Sequence, residues 1–153
     1  MKLVVNASPL IFLSKVDSLS LLQACFEAIL VPPAVVAETR LRLPTYIRVT
    51  SLSAVGSAFV HGAVGSLHAG ELEVIVLAQE SRIGLVALDD LLARRKARQM
   101  GLQPIGTVGI LLLARQRGVM DAATVRAKID ELVNAHGLYL STRVLERFKD
   151  ELQ

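Results

Sequence analysis

The sequence predicts an α/β fold: a three-layer α/β/α domain built on a central, mostly parallel sheet, with residues 1–153 as a single domain. Three observations point there. Short apolar, β-rich runs alternate with helical stretches almost from end to end. Hydrophobic residues make up 52% of the chain and aromatics only 4%, so the core must be Leu, Val, Ile and Ala, as where helices cover a parallel sheet. A length of 153 residues suits one domain, and no linker, repeat or low-complexity segment divides it.

Each element has its own signal. "KLVVN" (2–6) is a β-rich run that reads as a buried strand. Ser8 and Pro9 read as a helix start, a hydroxyl N-cap followed by proline at the first helical position. "SLSLLQACFE" (18–27) reads as a second helix and "AILVP" (28–32) as a strand. Pro32-Pro33 opens a third helix, "PAVVAETRLRL" (33–43), and "TYIRVTS" (45–51), rich in β-branched residues, reads as a strand. Residues 49–70 carry no charge, yet Ser, Gly, Thr and His interrupt them too often for a membrane span.

Gly70 precedes the helix "ELEVIVLAQE" (71–80), whose acidic first turn complements the helix dipole. "GLVAL" (84–88) is a strand ending at Asp89-Asp90, and "LLARRKARQM" (91–100) a basic helix closed by Gly101. "QPI" (103–105) is a minimal strand, and "TVGILLLARQRG" (107–118) a helix with Thr107 at its N-cap. Asp121 caps "AATVRAKIDELVNAH" (122–136), Gly137 ends it, and "STRVLERFKDEL" (141–152) is an amphipathic tail.

A net charge of +3 and a pI near 9.4 suit a partner that carries phosphates. The one cysteine, Cys25, allows no internal disulfide, fits a reducing cytoplasm, and reads as a packed core thiol. Asn6 and Pro9 break the N-terminal apolar stretch, and a lone Lys2 precedes it, so it is no secretory signal. A soluble cytoplasmic protein is expected, and the apolar excess points to a buried subunit interface.

In open parallel sheets, ligands gather beyond the carboxyl ends of the strands. Asn6 ends the first strand, Glu38 lies in the helix after "AILVP", Glu71 opens a helix, and Asp89 and Asp90 follow "GLVAL". Converging carboxylates repel and call for a cation, and hard oxygen ligands select Mg²⁺ or Mn²⁺. Each acid also has a plainer role: Glu71 at a helix dipole, Glu38 paired with Arg40 or Arg42, Asp90 as an N-cap. Glu71 and Glu73 stand about 200° apart around their helix. Glu71 shares its face with Val74, Ile75 and Ala78, and is the inward acid.

Arg94, Arg95, Lys96 and Arg98 would neutralise the phosphates of a partner, or form a solvated helix face. No aromatic residue interleaves them, so the sequence indicates no base-stacking platform. "GTVG" (106–109) lacks the lysine and length of a phosphate loop. His61, His68 and His136 lack metal-ligand spacing.

Three stretches together resemble the PIN domain, and more narrowly its VapC-like toxins: "LVVNASPLIFLSKV", "ILVPPAVVAE" and "AGELEVIVLAQESRIGLVALDDLLARRKARQMGLQPIGTVGILLLARQRG". The family's first acid falls on Asn6, in "NAS" where "DTS" is usual. Its second matches Glu38, its third Glu71 with Ala78 seven residues on, and its fourth Asp89 in "LVALD", with Asp90 adjacent. The resemblance implies a Mg²⁺- or Mn²⁺-dependent ribonuclease acting on RNA. Asn6, Glu38, Glu71 and Asp89 would be its catalytic and metal-binding residues, joined at the metal by Asp90, with Ser8 and Thr107 in support. It also implies a homodimer or higher homo-oligomer, a toxin paired with a small antitoxin protein. Asn6 offers a carbonyl oxygen but no charge, and so favours the rival reading, a weakened PIN-like module that binds RNA or a protein.

Overall fold

The computed structural model describes residues 1–63 and 67–153; Val64, Gly65 and Ser66, inside the uncharged stretch, lie outside the described residues. Five strands form one sheet among the described residues: β1 (Lys2–Val5), β2 (Ala28–Val31), β3 (Ile47–Val49), β4 (Leu85–Ala87) and β5 (Gln103–Ile105). Their order is β3-β2-β1-β4-β5, and every pairing is parallel, so the expected α/β class is observed. Leu3, Val4 and Val5 of the central strand are fully buried. Helices flank the sheet, which is why β1 reads as a continuous apolar run instead of an alternating one. Among the described residues, no helix is long and apolar enough to cross a membrane.

The first helix, α1 (Ala7–Lys15), begins earlier than expected. Asn6, not Ser8, occupies the N-cap position, and its side chain makes no capping hydrogen bond. The Ser8 hydroxyl is drawn away to Asp89. The second helix shrinks to α2 (Leu21–Cys25), because Phe26 is already extended (φ −129°) on its way into β2. Cys25 is buried there, and burial pushes its thiol pKa up, in keeping with a packed thiol. Next, α3 (Pro33–Thr39) stops four residues short of the expected end, where Arg40 turns left-handed at φ 54°.

One helix was not anticipated. α4 (Ala54–Gly62) occupies part of the uncharged stretch, capped by the Ser53 side chain, which accepts from Gly56 N–H at 3.0 Å. It packs on α5 (Ala69–Glu80) through Val60, Leu72 and Val76. A Cβ on Gly56 would come within 2.7 Å of Glu80 Oε1 and 3.0 Å of Val76, so glycine permits this close approach. α5 in turn packs on β1 and β4, burying Val74, Ile75 and Ala78. The chain continues through α6 (Leu91–Gln99), α7 (Thr107–Gln116), α8 (Ala122–Ala135) and α9 (Thr142–Glu151). Asp121 caps α8 as expected, accepting from Thr124 N–H at 2.7 Å.

Candidate active site at the carboxyl edge of the sheet

The strand order reverses direction between β1 and β4: β2 and β3 extend to one side, β4 and β5 to the other. Such a switch point opens a crevice at the carboxyl ends of the two strands. Asn6 leaves β1 and Asp89 leaves β4, side by side, with Asn6 N–H donating to the Ala87 carbonyl at 3.0 Å.

Asp89 is the most heavily tied side chain here. Ser8 Oγ donates to Oδ2 at 2.9 Å, Thr107 N–H to Oδ1 at 2.7 Å, and Thr107 Oγ1 to Oδ2 at 2.7 Å. Thr107 is fully buried. It was expected to cap the helix after β5, but Gly106 takes the N-cap position and Thr107 turns both its donors on Asp89. A Cβ at Gly106 would stand 3.0 Å from Arg94 Nη1 and 3.2 Å from Asp89 Oδ1. Glycine therefore leaves room for the aspartate and the guanidinium to face each other. Arg94 Nη1 donates to the Leu88 carbonyl at 3.0 Å. Burial and neighbouring Arg98 lower the Arg94 pKa, against the pull of Asp89. Arg94 is thus turned inward, while Arg95, Lys96 and Arg98 are exposed on α6.

Asn6 is 6% exposed, and among the described residues its Oδ1 is a buried oxygen without a hydrogen-bond partner; Glu73 Oε2 is another such oxygen. An orphaned buried carbonyl costs about 1–3 kcal/mol, a cost that a cation or an ordered water would relieve. The other acids line the α3–α5 side. Glu38 Oε2 lies 3.1 Å from where a Cβ of residue 70 would stand, so Gly70 makes room for it within the first turn of α5. Glu71 is 9% exposed, the most buried of the three acids on that helix. Burial raises its pKa first; the charge of Asp90 adds to this and Glu38 contributes less, while His68 opposes. Asp90 also serves as the N-cap of α6, accepting from Ala93 N–H at 2.9 Å.

The site therefore has two halves. Asn6, Ser8, Asp89 and Thr107 are knit together at β1, β4 and the start of α7, and Glu71 feels both Glu38 and Asp90 across from them. Among the described residues, no three acidic, histidine or cysteine side chains close on a single point as a preformed cation cage. The donors are nonetheless all hard oxygens, one of them orphaned, around a buried acid burdened by like charge. That set fits a hexacoordinate ion that retains several waters better than it fits Zn²⁺. Sequence reading overlooked Gly70 and Gly106, whose role is space, and glycine beside an acid carries no signal of its own.

A family model described as a PIN domain matches residues 2–153, and the chain belongs to the PIN-domain family. It is a family of nuclease type whose members in general use divalent metal ions. No curated protein and no solved structure matches the chain.

Proposed function

We propose that the protein is a Mg²⁺- or Mn²⁺-dependent endoribonuclease of the VapC-like branch, a single-domain cytoplasmic toxin that acts as a homo-oligomer and is held in check by a small antitoxin protein. The observation that carries this reading is the orphaned Asn6 carbonyl beside a triply hydrogen-bonded Asp89 at the switch point of the sheet. Asn6, Glu38, Glu71 and Asp89 would hold the ion, with Asp90 beside them. When bound, such an ion stabilises charge developing on a phosphodiester and lowers the pKa of water.

The chain's own residues do the positioning. Ser8 and Thr107 fix both oxygens of Asp89, so that its ligating orientation is set before any ion arrives. Arg94 holds the Leu88 carbonyl and balances the charge of Asp89 from behind. Burial and the charge of Asp90 disfavour Glu71 as a bare carboxylate, and a cation beside it would offset both. Arg95, Lys96 and Arg98 present positive charge to phosphates along the exposed side of α6.

The test is cleavage of labelled single-stranded RNA by purified protein. It should require Mn²⁺ or Mg²⁺, stop in EDTA, and be lost in Asp89→Asn. Cleavage that persists in EDTA or in that variant overturns the proposal. The rival, a binding module, rests on the missing charge at Asn6. Asn6→Asp separates the two: a large gain in cleavage marks an enzyme weakened at this position, and no gain marks a binder.

A further inference from the structure

Between α4, α5 and α6 lies a groove of about 410 Å³ whose lining includes Phe59, Leu72, Leu92, Arg95, Lys96 and Gln99. It is built on the same two helices as the candidate site: Leu72 follows Glu71 on α5, and Leu92 stands two residues beyond Asp90 on α6. We propose that this groove is a base-stacking subsite: it receives one unpaired base of the RNA strand that crosses the acids, laid against the ring of Phe59. The proposal rests on the nuclease reading above and adds to it where the strand runs.

Phe59 is 48% exposed and Leu92 is 49% exposed, a large apolar pair left half in water at the edge of a charged cleft. Phe59 is also held in place. Its neighbour Val60 is buried against Leu72 and Val76, Gly56 brings α4 close to α5, and Ser53 N–H donates to Glu80 Oε1 at 3.0 Å. A residue next to an inward one on a helix is turned by about 100°, which carries the Phe59 ring from the α5 contact toward α6. Across the groove, Arg95 and Lys96 lie five and six residues beyond Asp90, about 8–9 Å along the helix. An aromatic face with cations along one rim is how single-stranded nucleic acid is held without sequence preference, by stacking plus phosphate neutralisation. Charge complementarity alone would also admit an acidic amphipathic segment of a partner protein. The flat ring of Phe59, half exposed beside two cations, favours a base with its phosphate over such a segment, because stacking and phosphate neutralisation are then both satisfied.

The experiment measures binding apart from cleavage, by fluorescence anisotropy of labelled single-stranded RNA in EDTA at low salt. Phe59→Leu keeps the apolar bulk and removes the stack; it should bind roughly tenfold more weakly, and Phe59→Tyr should restore wild-type affinity. Arg95→Gln and Lys96→Gln should each reduce the slope of log affinity against log salt by about one, while Phe59→Leu leaves that slope unchanged. The wild type should also lose affinity for an oligonucleotide with abasic positions, and Phe59→Leu should not distinguish it. Unaltered binding by Phe59→Leu, or no measurable binding by the wild type, overturns the subsite. So does Phe59-dependent capture of an acidic amphipathic peptide without Phe59-dependent RNA binding. Cleavage in Mn²⁺ is scored separately: Phe59-independent binding by an active enzyme sinks the subsite alone, and Phe59-dependent binding by an inactive protein sinks the nuclease reading alone.

Discussion

At the scale of single residues, Asp89 and Glu71 are opposite solutions to placing a carboxylate at a sheet edge. Asp89 is satisfied by three donors, one of them the hydroxyl of fully buried Thr107. Thr107→Val keeps the shape and deletes that donor, and should lower stability by about 1–2 kcal/mol, read as a smaller urea midpoint with an unchanged m-value. It should also impair Mn²⁺-dependent cleavage; wild-type cleavage in the variant would show that Asp89 needs no such clamp. Glu71 has no such set of donors, and its pKa is raised above the ordinary value of 4.5, by burial before all else. A raised folded-state pKa means that the folded protein holds the proton more tightly than the unfolded chain. The associated stability is complete below the ordinary value and is lost as pH climbs through the raised one. In EDTA, the metal-free protein should therefore weaken as pH rises from about 4.5, and Glu71→Gln should flatten that portion of the profile. A wild-type profile indistinguishable from that of the variant would show that Glu71 is not destabilised by its charge.

At the scale of elements, α4 is tied to α5 by a polar clamp as well as by apolar packing. Ser53 caps α4 through Gly56 N–H, and both its backbone N–H and its hydroxyl engage the Glu80 carboxylate. Ser53→Ala should cost about 1 kcal/mol, concentrated in α4, so that hydrogen exchange quickens for residues 57–62 and stays slow in β1. Slowed protection lost equally across the sheet would place Ser53 in the global fold instead. This helix also marks where the sequence stopped being legible. β1, β2 and β4 are announced by dense apolar runs, and Asn6 and Asp89 are found by following β1 and β4 to their ends, because such a run needs no partner information to be recognised. Residues 54–62 hold two glycines and a Ser with weak helix preference, and they become helical through packing on Val76 and Leu72. The caps were misread for a related reason: Ser8 and Thr107 are good capping residues locally, but their hydroxyls are claimed by Asp89, 81 and 18 residues away. The Phe59–Arg95 juxtaposition likewise comes from tertiary packing between distant segments and leaves no mark in the order of residues around the basic helix.

At the scale of the molecule, the sheet order brings these separate pieces to one edge, and the cost of doing so predicts how the protein responds to a divalent cation. Folding places Asn6 Oδ1 in a buried position without a partner and sets Glu71 near Asp90 and Glu38, interactions that the unfolded chain escapes. A cation that binds these oxygens binds the folded state and has little purchase on the unfolded one, so it stabilises by mass action, by about 2.7 kcal/mol at a hundredfold excess over its Kd. For a chain of this length each kcal/mol moves Tm by about 2–4 °C, so Mn²⁺ should raise Tm by about 5–10 °C near saturation. Asp89→Asn and Glu71→Gln should each shrink that rise, and Asn6→Asp should enlarge it at lower Mn²⁺ concentration by adding a charge. The same shifts should not appear with K⁺ at matched ionic strength, which separates site occupancy from screening. This measurement does not depend on identifying an RNA substrate. A Tm indifferent to millimolar Mn²⁺ in the wild type and in Asn6→Asp would mean that the two halves of the site do not close on an ion, and metal-dependent cleavage would lose its structural basis.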